Sequence, residues 1–153
     1  YSAGKNLQAR ERMAVASCMA GLAFTRAGVG YVHAFAHQMG GLYHVPHGLA
    51  NAIIMPYVLD FSKPDCAHRL ADLARISGMG STGASDEALA DAFIARIRQM
   101  NADMQIPTVI KDLKREDFEK IIDRAFTEAH GTYGVPRYMS RDDAHAMLGK
   151  LMA

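Results

Sequence analysis

The chain has 153 residues, half of them hydrophobic and 22% charged, a balance that fits one soluble globular domain with its own core rather than a disordered or fibrous chain. Net charge is +1, from 17 basic and 16 acidic residues mixed along the sequence, so no field attracts nucleic acid or an anionic membrane and neither is expected as a partner. Cys18 and Cys66 fall in separate predicted helices and make neither a CxxC metal pair nor a secreted disulfide framework, which points to a reducing cytoplasm.

The longest apolar run, Met13 to Phe24, falls short of the roughly 20 residues that span a bilayer and is interrupted by Ser17 and Gly21, so no transmembrane helix is expected. No signal peptide is apparent either, although the chain opens on Tyr1 rather than Met, and a natural N-terminus further upstream is expected. The 10 methionines read as fillers of irregular gaps between helices.

Apolar residues recur at helical spacing almost throughout, without repeats or low-complexity tracts, which predicts a single all-α domain over residues 1–153. A first helix is predicted from about Leu7 to Arg26, capped by Asn6, with a small-residue, apolar middle suited to burial on most sides. Gly28 and Gly30 break it, and a second helix from about Tyr31 to Met39 is expected to stop at Gly40-Gly41. Pro46 is placed to start a third, whose buried stripe is Ala50, Ile53, Ile54, Tyr57, Val58 and Phe61. Ser62 to Asp65 should end it, with Asp65 capping a fourth that carries Leu70, Leu73 and Ala74 inward before Gly78 to Gly83 break the pattern. Ser85 caps a fifth with Leu89, Phe93, Ile97 and Met100 on its face, closed by Ile106-Pro107. Phe118, Ile121, Ile122, Ala125 and Phe126 mark a sixth, and Ser140 caps a seventh with Ala144, Met147, Leu148 and Leu151 facing inward. The stretch from His130 to Met139 reads as a surface loop that only connects two helices.

Four of the seven histidines fall between positions 33 and 47. His33 and His37 are four apart on a predicted helix, so their rings leave the same face one turn apart and could share a metal. His47 follows Pro46 at the next helix start, and a tight helical hairpin would return it to that face, as bundle metal sites draw ligands from facing helices. His44 lies in the turn and reads as solvated, while His68, His130 and His145 default to the surface. Phe35, Met39 and Tyr43 could line a pocket, but helical spacing makes them core residues first.

Ala20-Gly21-Leu22-Ala23-Phe24, Gly30 through His37, Gly40-Gly41, Pro46 through Ala52, and Pro56 together resemble the signature region of iron-containing (group III) alcohol dehydrogenases, densely from about Lys5 to Phe61 and more loosely beyond. The resemblance implies the all-helical C-terminal domain of that dehydroquinate synthase-like architecture. It makes His33 and His47 metal ligands and sets His37 beside the metal near the nicotinamide, touching the cofactor and handling substrate or proton. This departs from spacing alone, which favours His33 and His37 as co-ligands. The implied cofactors are Fe²⁺, with Zn²⁺ as a substitute, and NAD or NADP, acting on a small alcohol or aldehyde in a homo-oligomeric, cytoplasmic enzyme. The family's remaining ligands, an upstream Asp and His in a DxxxH pair, have no counterpart here, since no Asp precedes Asp60. An incomplete shell, and an inactive isolated fragment, are therefore expected.

Two other functions are open on the residues alone. One is a stand-alone hydrolase with a three-histidine zinc site at His33, His37 and His47; the other is a non-catalytic helical assembly module, for which an exposed apolar face on the first helix would speak.

Overall fold

The computed structural model describes residues 2–80 and 83–153, so part of the predicted Gly78 to Gly83 break lies outside the described residues. Those residues form six α-helices: α1 (Leu7–Ala27), α2 (Tyr31–Tyr43), α3 (His47–Ile76), α4 (Asp86–Asp103), α5 (Phe118–Ala129) and α6 (Arg141–Leu151), with one 3-10 turn at Arg115–Asp117. The all-α class holds. An isolated parallel bridge between Ile110 and Met152 is the only β pairing among the described residues.

The count is six rather than seven because the predicted third and fourth helices are one, α3, kinked at Cys66 (φ −140°, ψ 21°) just after Pro64. Asp65 therefore caps nothing. An interior proline removes one helical hydrogen bond and crowds the carbonyl four residues back, and side chains take up carbonyls along the disrupted helix. Asn101 Nδ2 donates at 2.7 Å to the carbonyl of Ala52, which Pro56 leaves without its helical donor. At the kink, Arg137 donates to the Phe61 carbonyl at 3.1 Å and Cys66 Sγ to that of Ser62 at 3.2 Å.

The first half of α3 packs Ile53, Ile54 and Val58 against Tyr31, Phe35 and Met39 of α2, Phe118, Ile121 and Ile122 of α5, and Leu148 and Leu151 of α6. Past the kink, Cys66 and Leu70 meet Ala90 and Ile94 of α4, while Ala71 and Ala74 meet Leu89. Leu73 and Met100, predicted inward, face solvent instead.

The largest departure is α1. Asn6 caps it as predicted, its side chain accepting from Ala9 N at 3.1 Å, but none of its 21 residues is buried. Leu7, Met13, Val15, Met19, Leu22 and Phe24 are all exposed. Its apolar sequence signalled a surface needing cover, and these residues supply none. No single helix among those described is long and apolar enough to cross a membrane; α1 and α2 qualify only as a pair, across a 107° bend.

Candidate functional site

The histidine segment occupies the α2–α3 hairpin. Gly40 and Gly41 do not stop α2, which runs one further turn because Leu42 and Tyr43 pack against the core. His44 ends it in the left-handed region (φ 55°), its N–H bonded to the Gly40 carbonyl at 3.1 Å, with Val45 N bonded to Met39 O at 3.3 Å. A residue in this conformation commonly terminates a helix, and His is among the side chains that tolerate it. His44 itself is solvated, as predicted. After this turn α3 starts at His47, with Pro46 as its cap.

The hairpin brings three imidazoles into one triangle. Ring centres of His33 and His47 lie 5.3 Å apart, those of His37 and His47 5.4 Å, and those of His33 and His37 5.9 Å. An imidazole nitrogen sits about 2.1 Å from a bound divalent ion, so two imidazoles on one tetrahedral ion have ring centres about 5 Å apart. The pair His33 and His47, tilted by 52°, matches that spacing. His37 and His47 are nearly parallel, at 18°, and rings stacked in this way do not converge their lone pairs on a common point. Among the described residues, no group of three or more His, Cys, Asp or Glu side chains is spaced to hold one ion, which does not favour a three-histidine zinc hydrolase.

His33 is held neutral. Desolvation lowers its pKa most, followed by the neighbouring His47 and His37, against which Glu128 pulls it upward. A neutral ring is the ligating form of histidine. Phe24, near the end of α1, flanks His33 at 6.4 Å between ring centres. Asn51, one turn into α3, lays its amide against His47, with Nδ2 3.1 Å from Nε2 and 2.9 Å from the His47 backbone carbonyl. Its Oδ1 is buried without a partner among these residues, a polar atom left over at the edge of the site. Two imidazoles at ligand spacing, with burial favouring the neutral form of His33, and an orphaned amide oxygen make a donor set that fits a divalent metal of the iron or zinc type.

His37 has a different environment. Its Nδ1 lies 2.7 Å from Oε1 of Glu128 on α5, and the Tyr133 hydroxyl donates to the same oxygen at 2.9 Å. Sequence reasoning missed both partners. Glu128 is 91 positions away, and only its α5 register, one turn before the loop, could have hinted that it faces α2. The segment from His130 to Met139 is also more than a connector: the Tyr31 hydroxyl, at the base of α2, accepts from Met139 N at 3.0 Å and pairs with His130 Nε2 at 2.7 Å. His130, predicted at the surface, is half-buried and stacked on Phe126. His68 is exposed, and His145 pairs with Glu119 at 2.6 Å.

Known proteins share this arrangement of elements. The crystal structure of a 1,3-propanediol oxidoreductase superposes with a TM-score of 0.89 and 39% identity, covering 97% of this chain and 39% of that one. A 1,3-propanediol dehydrogenase from Klebsiella pneumoniae is 43% identical over 129 residues, covering 83% of this chain and 33% of its own length. An NADPH-dependent butanol dehydrogenase from Clostridium saccharobutylicum is 38% identical over 142 residues, covering 89% and 36%. The chain thus spans about a third of the length of the curated relatives it matches. Residues 1–152 match the family model described as Fe-containing alcohol dehydrogenase family, C-terminal, and the chain belongs to that family, as its C-terminal domain.

Proposed function

We propose that this domain supplies part of the active site of an NAD(P)-dependent alcohol dehydrogenase that interconverts a small alcohol and its aldehyde. The observation that carries this is the His33–His47 ring spacing of 5.3 Å in a chain of that family. Those two residues would hold the metal, Fe²⁺ or Zn²⁺, and the remaining donors would come from outside these 153 residues. When bound there, the ion supplies Lewis acidity to the substrate oxygen. A nicotinamide cofactor, when bound, would supply the hydride chemistry.

The chain's own residues shape the rest. His33 is kept neutral by burial and by its two imidazole neighbours, so it is ready to ligate near neutral pH. Asn51 holds the ring of His47 through its amide. His37 lies beside the pair without converging on the same point, and its Nε2 is the one nitrogen of that ring that Glu128 does not engage. There it exchanges a proton with the substrate hydroxyl in a general acid–base role worth about 10²–10⁴ in rate.

Replacing His37 with Ala in the full-length enzyme tests this division of roles. Turnover should fall by about 10²–10⁴ while metal content persists; loss of the metal would show instead that His37 is a ligand. The exposed apolar flank of α1 offers a contact surface, which supports a homo-oligomeric assembly of the enzyme.

A further inference from the structure

We infer that Glu128 is a positioning residue for His37, fixing that ring as its Nδ1–H tautomer, with Tyr133 holding the carboxylate in place. This rests on the dehydrogenase role assigned above to His37. His37 leaves α2 on the face toward α5, where Glu128 Oε1 meets its Nδ1 at 2.7 Å. A carboxylate has no proton to offer, so the ring must donate, and in the neutral ring Nε2 is left as the unprotonated nitrogen. Neutral histidine side chains in water favour the opposite tautomer, so the carboxylate selects the less common form.

The carboxylate is itself oriented. The Tyr133 hydroxyl donates to the same Oε1 at 2.9 Å, and desolvation, with Glu128 next in weight, raises the Tyr133 pKa, which keeps the phenol a donor. Tyr133 is seated against Gly28, whose φ of +73° ends α1; a side chain there would stand 3.5 Å from Cδ1 of the tyrosine ring. His37, Glu128 and Tyr133 thus form a chain running from the histidine triangle to the α5–α6 loop. His37 keeps 42% of its side chain exposed and Glu128 keeps 25%, so the pair adds little to stability, and its consequence is orientation. An orienting carboxylate on the far nitrogen of a working histidine is a recurrent device because it fixes which nitrogen can accept a proton.

The test is ¹⁵N NMR of the His37 ring, well above the ordinary histidine pKa of about 6.5. The wild-type chain should show Nδ1 protonated and Nε2 bare. Glu128→Ala should move the ring to the Nε2–H form, and Glu128→Gln, which keeps an acceptor oxygen at the same reach, should restore Nδ1–H. In the full-length enzyme, Glu128→Ala should lower kcat by about tenfold or more with KM nearly unchanged, and Glu128→Gln should recover most of that loss. An Nε2–H ring in the wild-type chain overturns the inference without any variant, as does a Glu128→Ala ring that stays Nδ1–H. A tautomer that inverts while kcat holds overturns the positioning role. A wild-type enzyme with no dehydrogenase activity would count against the function proposed above, and the ring spectra would still decide whether Glu128 sets the tautomer.

Discussion

α1 and α2 adjoin each other, and both are rich in apolar and small residues, yet α1 buries none of its 21 residues whereas α2 buries six of its 13. The difference lies in what each meets. α2 is enclosed by α3 and α5, so Tyr31, Phe35 and Met39 enter a shared core and its opposite face is fixed as the place where His33 and His37 emerge. α1 leaves at a 107° bend and finds no such enclosure. Apolar sequence marks a surface that gains by being covered, and only the neighbours decide whether a given chain covers it.

Truncations on the two helices should therefore differ most sharply. Phe35→Ala, at a site with no exposure, should cost about 3–5 kcal/mol in denaturant unfolding. Met19→Ala, on a residue 65% exposed, should stay within about 0.5 kcal/mol in the same 153-residue chain. A comparable loss from both would mean that α1 is packed after all.

Polar pairing sharpens the contrast at the next level of effect. Tyr31→Phe removes the acceptor for Met139 N and the partner of His130, leaving a buried N–H unsatisfied, and should cost about 1–3 kcal/mol. On α6, Ser140→Ala deletes a capping box with Asp143 and should cost about 1 kcal/mol. No comparable loss is expected from Thr25→Ala on α1, whose hydroxyl only back-bonds to its own helix at Gly21.

The smallest effect is a titration. The His33 pKa is depressed by burial and by His47 and His37, so its folded value lies below the unfolded value of about 6.5. The associated stability is fully present above about pH 6.5 and is lost as pH falls through the folded value. NMR titration should show His33 protonating below the usual range, and His47→Ala should move it back toward that range; an unchanged midpoint in the variant would remove His47 as a cause.

Much of the fold was legible because helical period and capping are local. Asn6, Ser85 and Ser140 all cap where their side chains and spacing indicate. The triangle of His33, His37 and His47 was legible for a related reason, since a four-residue step and a short hairpin are near-sequence geometry. What stayed hidden is non-local. Pro64 kinks α3 without ending it because Arg137, 76 positions away, serves a carbonyl at the break. Gly40 and Gly41 remain helical because Leu42 and Tyr43 have a core to pack on. Glu128 and Tyr133 reach His37 through the packing of α5 on α2, which no short motif records.

Metal analysis of the full-length enzyme and three alanine variants is the most direct trial of the account. His33→Ala and His47→Ala should each lose most of the roughly one divalent ion bound per chain, while His37→Ala should keep it. Full metal content in both His33→Ala and His47→Ala would contradict the pairing of these two imidazoles on which the proposed function stands.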